Sequence, residues 1–314
     1  MSGRVLLTGA SGFVGRAAIA PLLRRGFEVH ALARRRIVAP AAVQWHQVDL
    51  FAADRALDDI LAAVRPDYLL HFAWYAEPGK YWQAAENVDC LSGSLRLVRA
   101  FHAAGGRRVV MAGTCAEYDW SDAAPLRETS PRRPATLYGV CKNALQEVLT
   151  AYGAQHGLSA AWGRIFFPYG PHEPTVRLVP DLVRALLEGR VARCSSGGQV
   201  RDFIHVDDAA EAFVALLASD VRGAVNIGSG HGIAVKDVAL TIAERLGRPD
   251  LLAIGALPGR PDEPPSLVAD IGRLTNEVGV TPRPIGEGLD AAIDWWRAVD
   301  ATPASMPTGA SARC

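Results

Sequence analysis

Tyr138 and Lys142 stand four residues apart in the segment ATLYGVCKNALQEV. At this spacing two side chains share one face of a helix. A phenol titrates at about pH 10 in water, so it needs a neighbouring cation before it can exchange protons near neutrality. An ammonium group supplies that help because it favours the phenolate form. The pair therefore indicates proton transfer at a substrate oxygen, although in isolation it is more typical of a helix surface.

A glycine-rich turn earlier in the chain favours the chemical interpretation of this pair. The segment TGASGFVG lies between the apolar run Val5–Leu7 and a helical pattern. Its first glycine permits a tight turn, its second lets the backbone approach a pyrophosphate, and its third allows close packing of helix on sheet. The helix N-terminus then presents N–H groups and partial positive charge to the phosphates. We expect a dinucleotide cofactor to contact Gly9, Ser11, Gly12, Phe13, Val14 and Gly15.

The end of the next strand bears on the form of that cofactor. NAD-binding versions of the turn carry an acid there, which holds the adenosine ribose. Here the strand reads EVHALARRR, so Ala33 and Arg34 fall where the acid would be, followed by Arg35. A guanidinium can hold a 2′-phosphate with two hydrogen bonds, so NADP is favoured; NAD and a merely solvated basic loop are the alternatives. Asp49 and Leu50, in the following VDL segment, are expected near the adenine.

Short apolar runs alternate with helical patterns through the first half of the chain. Helices are predicted near 16–25, 56–64, 84–104 and 137–156, each between two strand-like runs. This alternation indicates an α/β fold whose parallel sheet is covered on both faces. We place the dinucleotide-binding domain at 1–168, with later elements rejoining it. Crowded prolines and glycines then mark a smaller lobe, mainly at 169–300, and the polar tail at 301–314 is predicted to be disordered.

Composition limits the classes of function. The chain has 314 residues, 49% of them hydrophobic, and a formal net charge of zero. Zero net charge argues against a nucleic-acid-binding protein. The five cysteines are scattered without a CxxC pair, which is typical of reduced thiols and predicts no metal site. Because no apolar run approaches the roughly 18–20 residues that span a bilayer, we expect a cytoplasmic protein with no membrane partner.

These motifs together resemble the extended short-chain dehydrogenase/reductase superfamily, in its nucleotide-sugar epimerase, dehydratase and ketoreductase branch, over about 5–296. The resemblance implies a Rossmann-type doubly wound sheet, a smaller substrate lobe, and a catalytic set of Ser or Thr with Tyr and Lys. In the segment AGTCAEYDW it assigns Thr114 to that set, with the hydroxyl on the sugar oxygen. In the segment HFAW it implies cofactor contacts near the nicotinamide from Phe72, Ala73 and Trp74.

Later segments resemble the family's contacts to the nucleotide diphosphate. GGQVRDFIHVDD provides Arg201 and GRPDEPPSLVAD provides Arg260. Two guanidiniums on one diphosphate would satisfy its oxygens and neutralise its charge. For Arg201 the alternative is an internal salt bridge with Asp202 or Asp207. The other expected substrate contacts are Thr114, Cys115, Phe167 and Val179.

Two departures from the family pattern narrow the reaction. Dehydrating members carry Asp-Glu directly after the catalytic threonine, where this chain has Cys115 and Ala116, so a 4,6-dehydratase is disfavoured. In GRIFFPYGP, Phe167 replaces a common asparagine, and the more apolar wall suits a 6-methyl group. Together with the expected preference for NADP, these features favour reduction of a nucleotide-linked 4-keto-6-deoxy sugar. In this the chain resembles the CDP-abequose and CDP-paratose synthase type. The alternatives are a 4-epimerase with retained NAD and a catalytically silent NADP-sensing protein.

The predicted reaction gives each catalytic residue a role. Tyr138 donates the proton to the developing alkoxide, Lys142 lowers the pKa of the tyrosine and binds the nicotinamide ribose, and Thr114 orients the oxygen. The expected partner is a small nucleotide sugar. The resemblance further implies a homodimer built through the helices near 84–104 and 137–156.

Overall fold

The computed structural model describes residues 3–35, 37–51, 56–121, 125–259 and 263–300. The strands are β1 (Arg4–Thr8), β2 (Glu28–Ala33), β3 (Val43–Gln47), β4 (Tyr68–His71), β5 (Arg108–Thr114), β6 (Ser159–Ile165), β7 (Phe167–Tyr169), β8 (Ala192–Arg193), β9 (Val200–His205), β10 (Gly223–Ile227), β11 (Gly232–Ala234), β12 (Leu252–Ala253) and β13 (Ser266–Leu267). The α-helices are α1 (Phe13–Arg24), α2 (Ala56–Val64), α3 (Glu86–Ala103), α4 (Leu137–His156), α5 (Leu178–Leu187), α6 (Val206–Ala218), α7 (Val235–Arg245) and α8 (Ile285–Asp300). The tail at 301–314, predicted to be disordered, lies outside the described residues.

The larger sheet has seven strands in the order β10-β6-β5-β4-β1-β2-β3. Every neighbouring pair in it is parallel. The chain winds outward from β1 in one direction through β2 and β3, and then in the other through β4, β5 and β6. This is the doubly wound Rossmann arrangement that the sequence predicts. In such sheets ligands bind beyond the carboxyl ends of the strands, where the winding direction reverses, which is here between β1 and β4.

Alternating side chains of the strands supply two separate cores. On β1, Val5 and Leu7 face the cluster that includes α1 and α6. Leu6 points to the opposite face, where α3 and α4 cover the sheet with Leu97 and Leu145. Successive residues of a strand point to opposite faces, so a continuous apolar run such as VLL indicates burial on both. The two cores hold the carboxyl ends of the strands in a fixed arrangement.

The smaller lobe begins directly after β6. Strands β11, β9 and β13 form a second sheet, and β7 pairs with β9. Helices α5, α7 and α8 enclose its core. Between these parts the chain returns to the large sheet through α6 and β10. The predicted boundary at 168 falls inside β7, because Phe167 already pairs with Phe203 of β9.

The described ranges contain neither a membrane-spanning helix nor a cluster of metal ligands. Among their helices, none has both the length and the apolar character needed to cross a bilayer. In the same part of the chain, no group of three or more His, Cys, Asp or Glu side chains is placed to hold a metal ion.

Candidate active site

The glycine turn between β1 and α1 forms a close-fitting cradle. Gly9 has a φ of +68°, and a Cβ there would lie 2.7 Å from the backbone nitrogen of Ala73. A Cβ on Gly15 would overlap the carbonyl oxygen of Gly9. Gly12 is the N-cap of α1 and brings no side chain to the first-turn N–H groups. Space without side chains and free N–H donors at a helix N-terminus fit the pyrophosphate of a dinucleotide. Ser11, Phe13 and Val14 lie in the same turn and first helical residues.

Exposed positive charge lies at the end of β2. The side chains of Arg34 and Arg35 are exposed, and the amide of Gln47 donates to the carbonyl of Arg34 at 3.1 Å. Burial and the charge of Arg35 both lower the pKa of Arg16, in the first turn of α1. The cations at the end of β2 and beside the glycine turn therefore act on the same space. On the other side, Asp49 accepts from the backbone N–H of Phe51 at 3.1 Å, and the neighbouring Leu50 is buried.

Tyr138 lies in the first turn of α4, with its hydroxyl near the side chain of Thr114 at the end of β5. Thr136, the N-cap of α4, accepts from the backbone N–H of Gly139 at 3.1 Å and fixes where the helix begins. A Cβ on Gly139 would lie 2.5 Å from the carbonyl oxygen of Ala116, so α4 packs directly on the turn that follows β5. The resemblance to the extended short-chain dehydrogenase/reductase superfamily implies this pairing of threonine and tyrosine.

The predicted effect of Lys142 on the tyrosine needs a correction. Burial, with a smaller contribution from Tyr81, raises the pKa of Tyr138. The ammonium of Lys142 is directed elsewhere, since it donates to the carbonyl of Ala112 at 2.7 Å. Only 3% of the lysine is exposed, and burial lowers its pKa to about 7. In this structure the phenol is therefore neutral at pH 7, because desolvation outweighs any help from the ammonium.

The HFAW segment runs beside the glycine turn. The N–H of Ala73 donates to the hydroxyl of Thr8 at 3.3 Å, and the N–H of Phe72 donates to the carbonyl of the same residue at 3.2 Å. The ring of Phe72 meets that of Phe213 edge to face, with centroids 4.8 Å apart. The indole of Trp74 reaches further and meets the ring of Tyr138 edge to face at 6.3 Å. The structure thus brings this segment, the glycine turn and the tyrosine to one edge of the sheet.

Arg201 lies in β9 with 4% of its surface exposed, and its guanidinium is 5.5 Å from the ring centroid of Phe167. Its Nη2 donates to Glu263 Oε1 at 2.8 Å. The predicted alternative, a salt bridge of Arg201 with Asp202 or Asp207, is therefore wrong, because the carboxylate that pairs with Arg201 is Glu263. Asp202 instead accepts from the N–H and hydroxyl of Ser229, because β9 alternates its side chains and directs the two neighbours apart.

Three other predicted substrate contacts have different outcomes. The side chain of Val179 is 1% exposed and packs in the core of the smaller lobe, so the expected side-chain contact is corrected to a packing role. The apolar pattern of α5, the helix that contains Val179, does not show which of its residues face a ligand and which pack in the core. Arg260 lies outside the described residues. Cys115, directly after Thr114, is buried with 6% exposed, and burial raises the pKa of its thiol to about 12.

Residues 5–228 match the model of the NAD dependent epimerase/dehydratase family. The chain belongs to this family. A UDP-glucose 4-epimerase of Streptomyces lividans is 32% identical, covering 90% of this chain and 92% of that protein. The solved structure of MoeE5 in complex with UDP-glucuronic acid and NAD is 32% identical with a TM-score of 0.82, covering 95% of this chain and 100% of that chain. The solved structure of UDP-glucose 4-epimerase of Thermus thermophilus, in complex with NAD, is 28% identical with a TM-score of 0.82. The match covers 94% of this chain and 99% of that chain.

Within this epimerase/dehydratase family member, a buried ion pair lies directly behind the turn that follows Thr114. Glu117 is fully buried and accepts from Arg164 Nε at 2.7 Å, from Trp162 Nε1 at 2.9 Å and from the backbone N–H of Thr114 at 2.8 Å. The same carboxylate and the hydroxyl of Thr114 form a capping box around the short helix Cys115–Glu117. Sequence reasoning missed this pair. The only available signal was an acid three residues after the threonine, which does not identify its partner.

Proposed function

We propose that this protein is a nucleotide-sugar 4-epimerase in which Thr114, Tyr138 and Lys142 act on the C4 oxygen of the sugar. The observation that carries the proposal is the approach of the tyrosine hydroxyl to the threonine side chain, next to the glycine cradle at the switch point of the sheet. The sequence alone favours a ketoreductase. Similarity over 90% of the chain to a UDP-glucose 4-epimerase supports the alternative instead, and it points to UDP-hexoses as the substrate class.

The proton chemistry belongs to Tyr138. A partly buried phenol whose pKa is raised by desolvation is neutral at pH 7, so its resting state suits proton donation to an alkoxide. To accept a proton from a sugar hydroxyl, the same group needs positive charge nearby, which the ammonium of Lys142 and an oxidised nicotinamide would provide. When bound, such a cofactor supplies hydride exchange with a sugar carbon. Thr114 then holds the oxygen while Tyr138 removes or returns its proton.

The smaller lobe is assigned to the nucleotide sugar and the residues around the large sheet to the cofactor. Arg201 is the proposed contact to the diphosphate, with Phe167 as an apolar wall beside it. Burial lowers the pKa of Arg201, although the group stays charged at neutral pH, and a buried cation attracts an anionic ligand strongly. In this structure Glu263 forms an ion pair with the guanidinium of Arg201. Binding of a diphosphate therefore requires Glu263 to share the guanidinium with the diphosphate or to move away from it.

A dehydratase reaction is not proposed. The thiol of Cys115 has a pKa of about 12 and stays protonated at neutral pH. Glu117 is two residues further on and is held in the ion pair with Arg164, at 2.7 Å. Neither side chain is therefore available as the acid and base that eliminate water.

The cofactor released from the purified protein separates the two main reactions. The cationic end of β2, with Arg34 and Arg35 exposed, favours a 2′-phosphate and with it an NADPH-dependent 4-ketoreductase, the second candidate. A retained NAD, present at about one per chain after denaturation and mass spectrometry, supports the epimerase. Protein purified without cofactor that oxidises added NADPH in the presence of a 4-keto sugar nucleotide supports the ketoreductase.

The activity test uses UDP-glucose, UDP-glucuronic acid and their C4 isomers, with conversion followed by NMR. Replacing Tyr138 with phenylalanine removes the proton donor and lowers kcat by roughly 10²–10⁴. Tyr152 offers a matched control on the same helix, because its hydroxyl bonds only with His102 at 3.0 Å among the contacts described for it. Tyr152→Phe retains activity close to that of the wild type. Absence of conversion for every sugar would reject the epimerase.

We further propose a homodimer through α3 and α4. Both helices leave valines exposed, with exposed fractions of 52% for Val88, 47% for Val140 and 46% for Val148. A second copy of the chain would cover these side chains and remove apolar surface from water. Light scattering at micromolar concentration measures the mass, and a monomer throughout would reject the interface.

A further inference from the structure

Trp74 makes contacts with both members of the tyrosine–lysine pair. The Nζ atom of Lys142 lies 3.8 Å from the centroid of the Trp74 ring. The same indole meets the ring of Tyr138 edge to face, with centroids 6.3 Å apart. A cation within about 6 Å of an aromatic centroid is attracted by the negative face of the ring, and tryptophan is the strongest such partner.

The orientation of the indole is fixed from behind by a buried asparagine. Trp74 Nε1 donates to Asn87 Oδ1 at 2.8 Å. The amide of Asn87 donates in turn to the carbonyls of Tyr81 at 2.7 Å and Ala84 at 2.8 Å. Asn87 is fully buried, and its oxygen and both N–H bonds of its amide are used. The ring face presented to Lys142 is therefore held by directional hydrogen bonds as well as by packing.

Lys142 needs such a partner because its surroundings do not favour the charged form. Burial is the largest influence and lowers the pKa of the ammonium to about 7, and Glu117 and Cys90 partly oppose this effect. Its one described hydrogen bond goes to the carbonyl of Ala112 at 2.7 Å. The titratable groups that face it are Glu117, Cys90 and the buried His71. A π face is thus one of few favourable contacts for the positive charge.

We propose that Trp74 is a positioning residue that holds the Lys142 side chain in place and keeps it charged through a cation–π contact. The catalytic consequence rests on the proposed function, since a charged lysine matters only if Tyr138 exchanges protons with a substrate. The electrostatic part stands by itself and concerns the free protein. It extends the expected contact of Trp74 with the cofactor, because it assigns the indole a role toward the chain's own lysine.

The sequence makes a direct measurement feasible, because the chain contains three lysines, Lys80, Lys142 and Lys236. Protein labelled with ¹³C at lysine Cε therefore gives three signals, and Lys142→Arg assigns the buried one. Titration from pH 5 to 11 yields the pKa of Lys142 in the wild type and in two variants. Trp74→Leu removes the π face with little change in apolar character, and Trp74→Phe keeps a smaller one.

The expected result is a fall in the pKa of Lys142 of about one unit in Trp74→Leu and a smaller fall in Trp74→Phe. Trp82 provides a matched control, since its ring packs on Tyr138 at 5.8 Å but its described contacts do not include the lysine. Trp82→Leu leaves the pKa of Lys142 in place. A rise in Trp74→Leu would mean that the indole acts only by excluding water and would overturn the proposal, as would an unchanged value.

Turnover provides the second readout. If the proposed function holds, the basic limb of the kcat/KM profile moves to lower pH in Trp74→Leu by the same amount as the lysine pKa. An equal loss of activity at every pH, with an unmoved lysine signal, contradicts the proposal and indicates packing alone. If no variant and no wild-type protein converts a sugar, the NMR titration still decides the role of Trp74, and only the proposed function fails. Where Trp74→Leu does not fold, the smaller shift in Trp74→Phe decides.

Discussion

Replacing Glu117 with glutamine removes one charge from the ion pair behind the turn that follows Thr114 and keeps the shape of the side chain. The carboxylate is fully buried and accepts from Arg164 Nε at 2.7 Å, from the indole of Trp162 at 2.9 Å and from the N–H of Thr114 at 2.8 Å. Arg164 is itself 1% exposed, so water cannot solvate its charge once the partner is neutral.

The size of the loss follows from that burial. Breaking a buried pair by removing one partner costs about 3–5 kcal/mol, because an uncompensated charge stays inside. Arg164 keeps bonds to Gln146 Oε1 at 2.8 Å and to the hydroxyl of Tyr118 at 2.9 Å, which places the expected loss near the lower end, at about 3 kcal/mol. The pair Arg273–Glu277 is a matched surface control, and Glu277→Gln costs less than about 0.5 kcal/mol.

Equilibrium urea unfolding measures both losses, and a double-mutant cycle with Arg164→Met isolates the pair. The single variants are each destabilised, and Glu117→Gln combined with Arg164→Met recovers about 2 kcal/mol relative to their sum. Because Glu117 fixes the backbone of Thr114, Glu117→Gln also lowers kcat more than it raises KM. A loss below about 1 kcal/mol, or strict additivity in the cycle, would refute the reasoning that the pair holds this turn.

Three further changes test other parts of the account. Gly15→Ala places a Cβ against the carbonyl of Gly9 and abolishes cofactor retention, whereas Gly198→Ala, with open space around it, leaves retention and melting temperature unchanged. Burial raises the pKa of Glu173 to about 7, above its value of about 4.3 in an unfolded chain, so this group's contribution to stability is lost as pH rises from about 4.3 to 7. Melting curves therefore show Glu173→Gln gaining on the wild type between pH 5 and 8, and a constant difference contradicts this. Val148→Asp puts charge on the exposed face of α4 and yields a monomer by light scattering, whereas an unchanged mass rejects the proposed dimer.

Features carried by neighbours in sequence were predictable. Three glycines within one segment are enough to indicate the dinucleotide-binding turn. The geometry of a single helix also places Tyr138 and Lys142 on the same face. The alternation of strands and helices likewise predicts the parallel sheet, because parallel strands need crossover helices between them. The place of Thr114 beside Tyr138, by contrast, was implied by the family resemblance and not by sequence spacing.

Contacts between distant segments were not predictable. Arg164 pairs with Glu117 across 47 positions, and Arg201 pairs with Glu263 across 62. Both choices depend on which carboxylate the folded backbone brings near, and the expected partners of Arg201 were the acids closest in sequence. The sequence did not show that desolvation outweighs the effect of Lys142 on the pKa of Tyr138. The reason is the same, because desolvation depends on how the whole chain folds around the phenol.

In the proposed reaction, the site around Tyr138 oxidises and then reduces the same C4 carbon of a nucleotide sugar. UDP-glucose labelled with deuterium at C4, incubated with the protein in ordinary water, tests it directly. We expect the C4 isomer to form with the deuterium retained at that carbon, and we expect Tyr138→Phe to form it at least about 100-fold more slowly. Loss of the deuterium to water, or equal rates for the two proteins, would contradict the proposed 4-epimerase reaction.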